Sequence, residues 1–454
     1  MNEDLPPDAR CAAFEAEVSH LQAELAQVRQ QLTETEKAFG RFVPRELLHF
    51  LSVDNVRGVR LGMQTERKMT ILFADIRNFT GLSESLTPQE NFDFLNSYLS
   101  QMEPMIVPFR GLIDKYIGDA IMALFPEGTD DAVRGALAML ERLEIYNKGR
   151  ARAGYIPIRI GIGVNTGIVM LGTVGGIGRM EGTVISDAVN LASRLEEMSK
   201  IYGVPLLISE HTLHSLEDPA RYNIRFVARN RVKGKQEAQS VYEVFDADPP
   251  LMRTAKQRTR KRFEEALAFF FVGDIFRARS RLVRCLEEAP GDAPARFYLS
   301  VCDEYLRNGH AEGIEENELT QTWSEEYSCG VADIDSQHRI LLSQLNALAT
   351  AVREGRTKDT KPILARIETD AGQQFATEEA LMHESRYAFL AEHTHQHRRF
   401  IGNLKCLSEE IASEAENPVY MAFRIKLLLM DWTINHSIKT DRHLGHHLKS
   451  RSGG

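Results

Sequence analysis

The sequence predicts a multidomain protein in which one α+β domain lies between helical segments. Three observations support this prediction. Residues 12–38 repeat apolar side chains three and four positions apart, residues 68–209 alternate strand and helix patterns, and residues after 257 return to helical periodicity. A chain of 454 residues has room for about two to four domains. We place the domains at residues 1–39, 40–248, 249–317 and 318–454.

The N-terminal segment has the seam of a short coiled coil. Glu, Gln and Arg separate its apolar residues, which are Phe14, Val18, Leu21, Leu25, Val28 and Leu32. An amphipathic helix packed on its own domain is the alternative that the same pattern allows. Gly40 and Pro44 end the segment.

The segment from Lys68 onward follows the order β-α-β-β-α-β, which is the ferredoxin-like plan. The strand patterns are MTILFAD, GLIDKYI, AIMALF, IRIGIGV, IVMLGTV and PLLIS. The predicted helices are Gln89 to Ile106, Asp131 to Tyr146 and Ile185 to Tyr202. An α+β ferredoxin-like domain with added strands is therefore expected.

Residues 257–309 are predicted to form helices with the spacing of a tetratricopeptide repeat (TPR). The residues that match this spacing are Ala266, Phe269, Gly273, Ala278, Leu282 and Pro290. A second repeat begins in ARFYLSVCDEYLRNG without completing. We interpret the segment as a TPR-like connector, and a plain helical hairpin remains the alternative.

Composition excludes several classes of protein. The net charge of -9 argues against a nucleic-acid binder that relies on overall charge. The five cysteines are scattered without a CxxC pair, which is typical of free thiols in a reducing cytosol. No apolar stretch approaches the roughly 18 residues of a membrane span. The expectation is a cytoplasmic protein with neither nucleic acid nor membrane as a partner.

Two aspartates carry the first chemical signal. Asp75 follows an apolar run in ILFADIRNFT, and Asp119 lies in the hairpin GLIDKYIGDAIMALF. Mg²⁺ takes oxygen ligands, often one or two carboxylates plus substrate phosphates, so two such loops can form a two-metal phosphoryl-transfer site. The backbone amides from Ile76 through Phe79 to Thr80 turn sharply after a strand, where they could cradle phosphate oxygens.

Four more residues complete a family resemblance. Lys115 precedes Asp119 by four positions, and EGTVISDAVNLASRLE supplies Thr183, Asn190 and Arg194. Over about residues 66–246, this set resembles the catalytic domain of class III nucleotidyl cyclases. The resemblance implies conversion of ATP to 3′,5′-cyclic AMP and pyrophosphate. It also implies two Mg²⁺ or Mn²⁺ ions per active site, held by Asp75, Ile76 and Asp119.

The resemblance assigns roles to the other residues. Arg194 and Asn190, one helical turn apart on one face, would hold the transition state and the ribose. Lys233 in RVKGKQ would contact the triphosphate, and Lys235 is a nearby substitute. Lys115 and Thr183 would read the base. Because a lysine and a hydroxyl complement adenine, they predict ATP as the substrate, with some use of GTP.

The resemblance also implies a symmetric homodimer. The metal-binding aspartates come from one subunit in this family, and the equivalents of Lys115, Thr183, Asn190 and Arg194 come from the other. This chain carries both halves, so a homodimer would build two equivalent sites. The coiled coil would enforce that pairing.

Nine of the fourteen histidines lie after Trp323, in long periodic segments that predict an up-and-down four-helix bundle. His393 and His397 are four positions apart, so they project from one helical face. The set resembles bacterial hemerythrins over about residues 320–448, which hold two non-haem irons between five histidines and two bridging carboxylates. The matching residues are His338, Glu378, His393, His397, His436 and Asp441.

One position departs from that family, because Gln374 stands where the resemblance expects a histidine on the iron that binds O₂. The sequence leaves open two irons with one under-ligated, one metal only, rescue by His383, or a bundle without metal. The resulting hypothesis is an adenylate cyclase whose output is tuned by O₂, NO or redox state. The alternatives are a guanylate cyclase, or an iron- or gas-binding protein with an idle cyclase-like dimerisation domain.

Overall fold

The structure is a computed structural model that describes residues 7–39, 45–53, 55–176, 178–231, 238–310, 319–413 and 417–452. Helix α1 (Pro7–Phe39) exposes five apolar residues of its seam, Phe14, Leu21, Leu25, Val28 and Leu32, by 41% to 68%. Within one chain, therefore, the seam is not covered by a domain of its own. Helix α2 (Arg45–Phe50) follows and leads into the α+β domain.

The α+β domain is built on a sheet of eight strands. Its elements in chain order are β1 (Gln64–Ile76), α3 (Phe79–Glu84), α4 (Pro88–Met102), β2 (Leu112–Ile117), β3 (Ala120–Phe125), α5 (Thr129–Arg152), β4 (Ile160–Gly176), β5 (Arg179–Ile185), α6 (Asp187–Tyr202), β6 (Leu206–Ser209), α7 (Glu210–Ser215), β7 (Ile224–Arg231) and β8 (Ala238–Val244). The strand order is β2-β3-β1-β4-β6-β8-β7, and β5 pairs with β4. Only β4 and β6 pair in parallel among these strands. The predicted order β-α-β-β-α-β is present from β1 to β4.

The structure corrects the strand predictions in two ways. The patterns IRIGIGV and IVMLGTV are one continuous strand, because Gly167 between them stays extended and pairs with Met69 of β1. Strands β5, β7 and β8 were not predicted. In β7 and β8 the alternation is hidden by charged residues, since Arg225 and Glu243 are fully buried and paired with each other at 2.7 Å.

Helix α6 is held close against β4. Ser186 caps its first turn by accepting from the Ala188 amide, and Leu195 is buried beneath the helix. A Cβ at Gly163 would lie 2.3 Å from the Glu196 backbone nitrogen, so only glycine allows this approach of helix to strand. Burying each large apolar side chain here contributes roughly 1.5–3 kcal/mol. This packing of α6 on β4 fixes the direction in which the exposed face of α6 points.

Three helices form the connector, α8 (Pro250–Phe271), α9 (Ile275–Glu288) and α10 (Ala293–Asn308). They pack on the α+β domain, and Asp292 at the start of α10 holds Arg225 with two hydrogen bonds of 2.7 Å. The alternative was a helical hairpin, which has two helices, whereas the connector has three. Its identity as a TPR remains a prediction.

The C-terminal region is a bundle of four long helical stretches. The first three are α11 (Ala332–Arg353), α12 (Thr357–Ser385) and α13 (Leu390–Ala412). The fourth consists of α14 (Pro418–Ile425), a π-helical turn (Lys426–Met430), α15 (Asp431–His436), a second π-helical turn (Ser437–Asp441) and α16 (Arg442–Ser452). One apolar core runs through the sheet, the connector and the bundle. Across the described ranges, no helix combines the length and apolar character needed to cross a membrane.

Candidate functional site

Asp75 and Asp119 meet at the end of the sheet. Asp75 lies near the end of β1, and Asp119 occupies the turn between β2 and β3, where Gly118 takes the left-handed φ of +64°. Strand β3 pairs with β1, so the turn lies beside Asp75, and Asp119 Oδ2 accepts a hydrogen bond of 3.3 Å from the Ile76 amide. Burial, followed by the hydrogen bond to Asp75 and its charge, raises the pKa of Asp119 to about 7. Such a pair of crowded carboxylates suits a divalent cation.

The predicted phosphate loop follows Asp75 directly. Phe79 and Thr80 form the first turn of α3, where backbone amides have no acceptor within the helix. Arg77, which sequence reasoning missed, donates to the Ser199 carbonyl at 2.9 Å and so ties this loop to the end of α6. The loop from Ile76 to Thr80 is therefore fixed next to the two aspartates.

Lys200 was also missed and lies at the same end of the sheet. Its ammonium is 2.7 Å from Asp75 Oδ2 and 3.2 Å from Glu196 Oε1. Burial lowers the pKa of Lys200, but the hydrogen bond to Asp75 and the nearby carboxylates outweigh it and raise that pKa. The pairing of Glu196 with Lys200 is visible in the sequence as an i, i+4 spacing. Its link to Asp75, 125 residues away, is not.

The two predicted base-reading residues come together. Lys115 on β2 donates to Thr183 Oγ1 on β5 at 3.2 Å and to Glu181 Oε1 at 3.4 Å. Asp114 Oδ2 is 3.5 Å from the same ammonium. The structure thus joins a lysine donor and a hydroxyl that lie 68 residues apart in the chain.

Asn190 and Arg194 lie on the exposed face of α6, one turn apart. Both line a cavity of about 870 Å³, to which neither Asp75 nor Asp119 contributes among the described residues. Asp75 instead contacts Lys200, six residues beyond Arg194, which is roughly 9 Å farther along the helix axis. The single chain therefore keeps the two halves of the predicted site apart. Lys233 and Lys235 lie outside the described residues.

A second group of candidate residues fills the centre of the C-terminal bundle. Atoms of Glu378, His393, His397 and His436 lie within 4.8 Å of one another, as do atoms of His338, Glu378 and Asp441. All six side chains are buried, with at most 3% of any residue exposed. The structure thus brings together all six ligands that the sequence predicted there.

The distances in this group are those of side chains turned toward one centre. His397 Nε2 is 2.9 Å and His393 Nε2 is 3.3 Å from Glu378 Oε2. Asp441 Oδ1 is 3.0 Å from His393 Nε2 and 3.2 Å from His436 Nε2, and its Oδ2 is 3.1 Å from His338 Nε2. Several of these buried atoms have no hydrogen-bond partner in the described structure, namely Glu378 Oε2, Asp441 Oδ1 and Oδ2, His338 Nε2 and His397 Nε2. Metal ions would satisfy this orphaned set of imidazole and carboxylate donors.

Three of the histidines have their other ring nitrogen fixed. His436 Nδ1 contacts Gln396 Oε1 at 2.9 Å, His397 Nδ1 contacts Glu379 Oε1 at 3.0 Å, and His338 Nδ1 contacts Ser437 Oγ at 3.3 Å. Partners of this kind set the tautomer and direct Nε2 to the centre. Gln396 and Glu379 are therefore supporting residues that sequence reasoning missed.

Aromatic rings stack on the same three histidines and fix the orientation of each imidazole. Trp432 stacks on His436 with centroids 4.4 Å apart, Phe375 stacks on His397 at 4.0 Å, and Trp323 stacks on His338 at 6.2 Å. Stacking removes the freedom to rotate the rings away from the centre. Trp323 and Trp432 thus have a defined structural role at the centre.

The electrostatics of the centre favour anionic carboxylates. Burial raises the pKa of Glu378 and of Asp441, and the charge of Asp441 raises that of Glu378 further, yet contacts with the surrounding histidines outweigh these effects and hold both pKa values well below the ordinary range. Burial lowers the pKa of His393, but Asp441 and Glu378 raise it to about 9. The centre therefore combines two anionic carboxylates with His393, whose charged form those carboxylates stabilise.

A π-helical turn places the last two ligands together. Residues five apart lie about 140° apart around an α-helix, so His436 and Asp441 would face different directions in one. The π-helical turn Ser437–Asp441 bonds residues five apart instead, which brings Asp441 over His436.

Gln374 lies beside the centre, as the sequence predicted. Its Nε2 donates to Glu378 Oε1 at 2.9 Å, while its buried Oε1 has no partner in the described structure. His383, considered as a rescue ligand, is exposed near the end of α12 and belongs to neither metal-binding group. The donor set is thus unequal, with three imidazoles in one group and one in the other.

Comparison with known proteins agrees with the α+β site. Residues 61–244 match the adenylate and guanylate cyclase catalytic domain family. An adenylate cyclase of Anabaena cylindrica is 42% identical over 238 residues, which are 51% of this chain and 47% of that protein. The terminal-differentiation specific adenylate cyclase of Dictyostelium discoideum is 33% identical over 294 residues, which are 63% of this chain and 14% of that protein.

Among solved structures, the adenylyl cyclase CyaB of P. aeruginosa is 32% identical, with a TM-score of 0.37 over 40% of this chain and 96% of that one. The chain spans less than half the length of the two curated relatives. The matched residues 61–244 coincide with the α+β domain that holds Asp75 and Asp119.

Proposed function

We propose that this protein is an adenylate cyclase that converts ATP to 3′,5′-cyclic AMP and pyrophosphate across a homodimer. The observation that carries the proposal is the contact of two partly buried carboxylates, Asp75 and Asp119, beside the loop from Ile76 to Thr80 in a domain that matches the cyclase family. An idle dimerisation domain would gain nothing from keeping two such carboxylates together, since their repulsion destabilises the fold.

Metal binding at this pair would use Asp75, Asp119 and the backbone at Ile76. Bound Mg²⁺ or Mn²⁺, two per site, supplies charge neutralisation of the triphosphate and a lowered pKa for the ribose 3′-hydroxyl. The residues fit this role because Asp119 is partly buried beside a second carboxylate, and burial, the hydrogen bond to Asp75 and the charge of Asp75 together raise its pKa. Backbone amides from Phe79 and Thr80 would orient the phosphate oxygens.

Substrate orientation falls to the other half of the site. The planar guanidinium of Arg194 would donate to the α-phosphoryl oxygens, where charge accumulates as the 3′-oxygen attacks. Asn190 would hold the ribose from the same helix face. Lys115 would donate to adenine N1 and Thr183 would accept from the amino group, which favours ATP over GTP. Lys233 is assigned to the triphosphate by the family resemblance alone.

Two observations support the homodimer. Asn190 and Arg194 are separated from Asp75 and Asp119 within one chain, so a complete site needs a second copy. The apolar seam of α1 is exposed in one chain and has the heptad spacing of a two-stranded coiled coil.

The C-terminal bundle is proposed to hold non-haem iron and to regulate the cyclase. Histidine and carboxylate donors suit iron, which supplies redox chemistry and affinity for O₂ or NO when it is bound. Gln374 replaces one imidazole with a weaker, neutral amide, so O₂ binding should be weakened and redox state or NO is the better-suited signal.

The decisive experiment is an assay of the full chain with MgATP and MnATP, followed by chromatography of the products. Cyclic AMP formation that disappears in Asp119→Ala supports the proposal. If the chain binds iron but forms no cyclic nucleotide from ATP or GTP, it is an iron-binding protein with an idle cyclase-like domain. A faster reaction with GTP would make it a guanylate cyclase.

A further inference from the structure

The C-terminal bundle is joined to the cyclase domain by buried polar contacts. Asp431, the first residue of α15, accepts two hydrogen bonds from the Arg229 guanidinium on β7, at 2.8 and 3.0 Å. One turn later, Asn435 Oδ1 accepts from Gln239 Nε2 at 3.0 Å, and Asn435 Nδ2 donates to Glu210 Oε2 at 3.1 Å. The four partners other than Arg229 are at most 5% exposed, and the Arg229 side chain is 9% exposed.

Apolar contacts extend the same interface. Phe423 of α14 packs edge-on against Phe226 of β7 at 5.5 Å and stacks on Phe271 of α8 at 5.7 Å. Tyr420 donates to Glu264 Oε2 at 2.8 Å. A buried patch that combines aromatic rings with several hydrogen bonds between the two regions is specific in position and orientation.

Docking in this position sets the bundle opposite the exposed face of α6. The cavity of about 870 Å³ has Asn190 and Arg194 on one wall and the bundle residues Glu392, Gln396 and Lys439 on the other. A cavity of that size holds a small ligand but not a protein domain. While the bundle is docked, a second cyclase domain cannot bring its Asp75 and Asp119 to this face.

We propose that the space in front of the α6 face carrying Asn190 and Arg194 has two mutually exclusive occupants. One occupant is the chain's own C-terminal bundle, and the other is the Asp75–Asp119 half of a second copy. The inference rests on the proposed homodimeric cyclase. The docked bundle holds the chain inactive, and its release opens the face for the partner.

The docking residues lie next to the metal-binding group. Asn435 immediately precedes His436, and the ring of Trp432, one residue after Asp431, stacks on the ring of His436. The same short helix thus presents His436 to the bundle centre and Asn435 to the cyclase domain. Any movement of α15 therefore changes both the bundle centre and the contact with the cyclase domain.

Two variants weaken docking by different routes. Asn435→Asp keeps the side-chain shape but replaces the donor to Glu210 with a carboxylate, so two buried carboxylates face each other. Loss of one hydrogen bond to a charged group should shift the docking equilibrium about tenfold or more. Glu66→Lys acts at the exposed rim, where Glu66 contacts His443 at 3.0 Å, so it cannot act by unfolding the core. Glu141→Lys, an exposed glutamate of α5, is the matched control.

Hydrogen exchange of the full chain measures the two occupants separately. We expect the wild-type chain and Glu141→Lys to protect residues 210–215 of α7, which contact the docked bundle, more than the docking variants do, and to protect residues 78–80 and 118–119 less. Both docking variants should lose the first protection and gain the second. Protection of both regions in the same molecules, or an unchanged pattern in both variants, would overturn the proposal.

Cyclase activity is a separate readout. If the exchange pattern switches and the released variants make several-fold more cyclic AMP, both proposals are supported. A switched pattern without any product supports exclusive docking but contradicts the proposed function, so the two failures are distinguishable.

Discussion

The ammonium of Lys200 lies 2.7 Å from Asp75 Oδ2, so a cation of the protein already contacts one of the two carboxylates that are proposed to bind metal. The same ammonium contacts Glu196 at 3.2 Å. Lys200 thus balances part of the negative charge at the end of the sheet. A divalent ion that binds there must compete with it.

Removing this competitor should tighten metal binding. We expect Lys200→Met to lower the dissociation constant for Mn²⁺ at this pair several-fold, because the ion then neutralises Asp75 without displacing a lysine. Calorimetric titration of the full chain measures the change. The same substitution in an Asp119→Ala background is the control, since the gain should vanish there, and unchanged or weaker Mn²⁺ binding in Lys200→Met would contradict the prediction.

Loss of either carboxylate should remove most of the cyclase rate. Asp119→Ala is expected to lower turnover on the order of 10²-fold or more, by analogy with the loss of other fixed charges that stabilise a transition state. Cyclic AMP formation under saturating MgATP measures it. Asp93→Ala removes an exposed aspartate of α4 and should leave the rate unchanged. Near wild-type turnover of Asp119→Ala would rule out this role.

The stability of the chain should depend on pH through Asp119. Its raised pKa means that the folded chain holds this proton more tightly than the unfolded chain does. Its contribution to the free energy of unfolding therefore falls as pH rises from the ordinary aspartate pKa through about 7. Bound Mg²⁺ should offset this loss, so we expect Mg²⁺ to raise Tm by a few degrees at pH 8 and by much less at pH 5.5. Calorimetry of Asp119→Asn, in which the difference should disappear, is the control.

Base selection should depend on the contact between Lys115 and Thr183. The double substitution Lys115→Glu with Thr183→Cys places a carboxylate opposite adenine N1, where a donor is needed, and should lower the ratio of ATP to GTP use at least tenfold. Kinetics with both nucleotides measure the ratio. Glu181→Gln also alters a contact of Lys115, but the lysine keeps its own positive charge. This substitution should therefore preserve the ratio of ATP to GTP use. An equal ratio in the double variant and the wild type would show that these residues do not read the base.

The two halves of the site should be shared between subunits. An Asp75→Ala chain mixed with an Arg194→Ala chain should recover one functional site per heterodimer, because each supplies what the other lacks. Each variant alone provides the baseline. If confirmed heterodimers show no activity above that baseline, the site is not shared.

Metal content should depend on Gln374. We expect Gln374→His to raise the iron bound per full chain toward two, because imidazole is a better iron ligand than an amide. Elemental analysis and optical spectra, taken aerobically and anaerobically, measure the change. His383→Ala, which alters an exposed histidine, should have no effect. Two irons and a stable O₂-dependent spectrum in the wild type would contradict the proposed effect of Gln374.

Local sequence patterns predicted the residues whose roles depend on local geometry. Asp75 at a strand end, Asp119 in a hairpin and the i, i+4 pair His393 and His397 each carry a signal within a few residues. Strands β7 and β8 escaped prediction because Arg225 and Glu243 satisfy each other only in the folded chain. The same holds for Asp431, whose partner Arg229 is 202 residues away. Long-range ion pairs leave no periodic trace in a sequence.

The π-helical turn between His436 and Asp441 makes chain length itself part of the metal centre. Inserting one residue between these two ligands would place them six apart, a spacing at which α-helical winding turns Asp441 about 120° away from His436 and which the five-residue π-helical turn does not match, although every ligand would still be present in the sequence. Asp431 and Asn435 precede the turn, so their contacts with the cyclase domain need not change. A single-residue insertion can thus abolish metal binding while the bundle stays in place, an outcome that no comparison of side-chain identity would reveal.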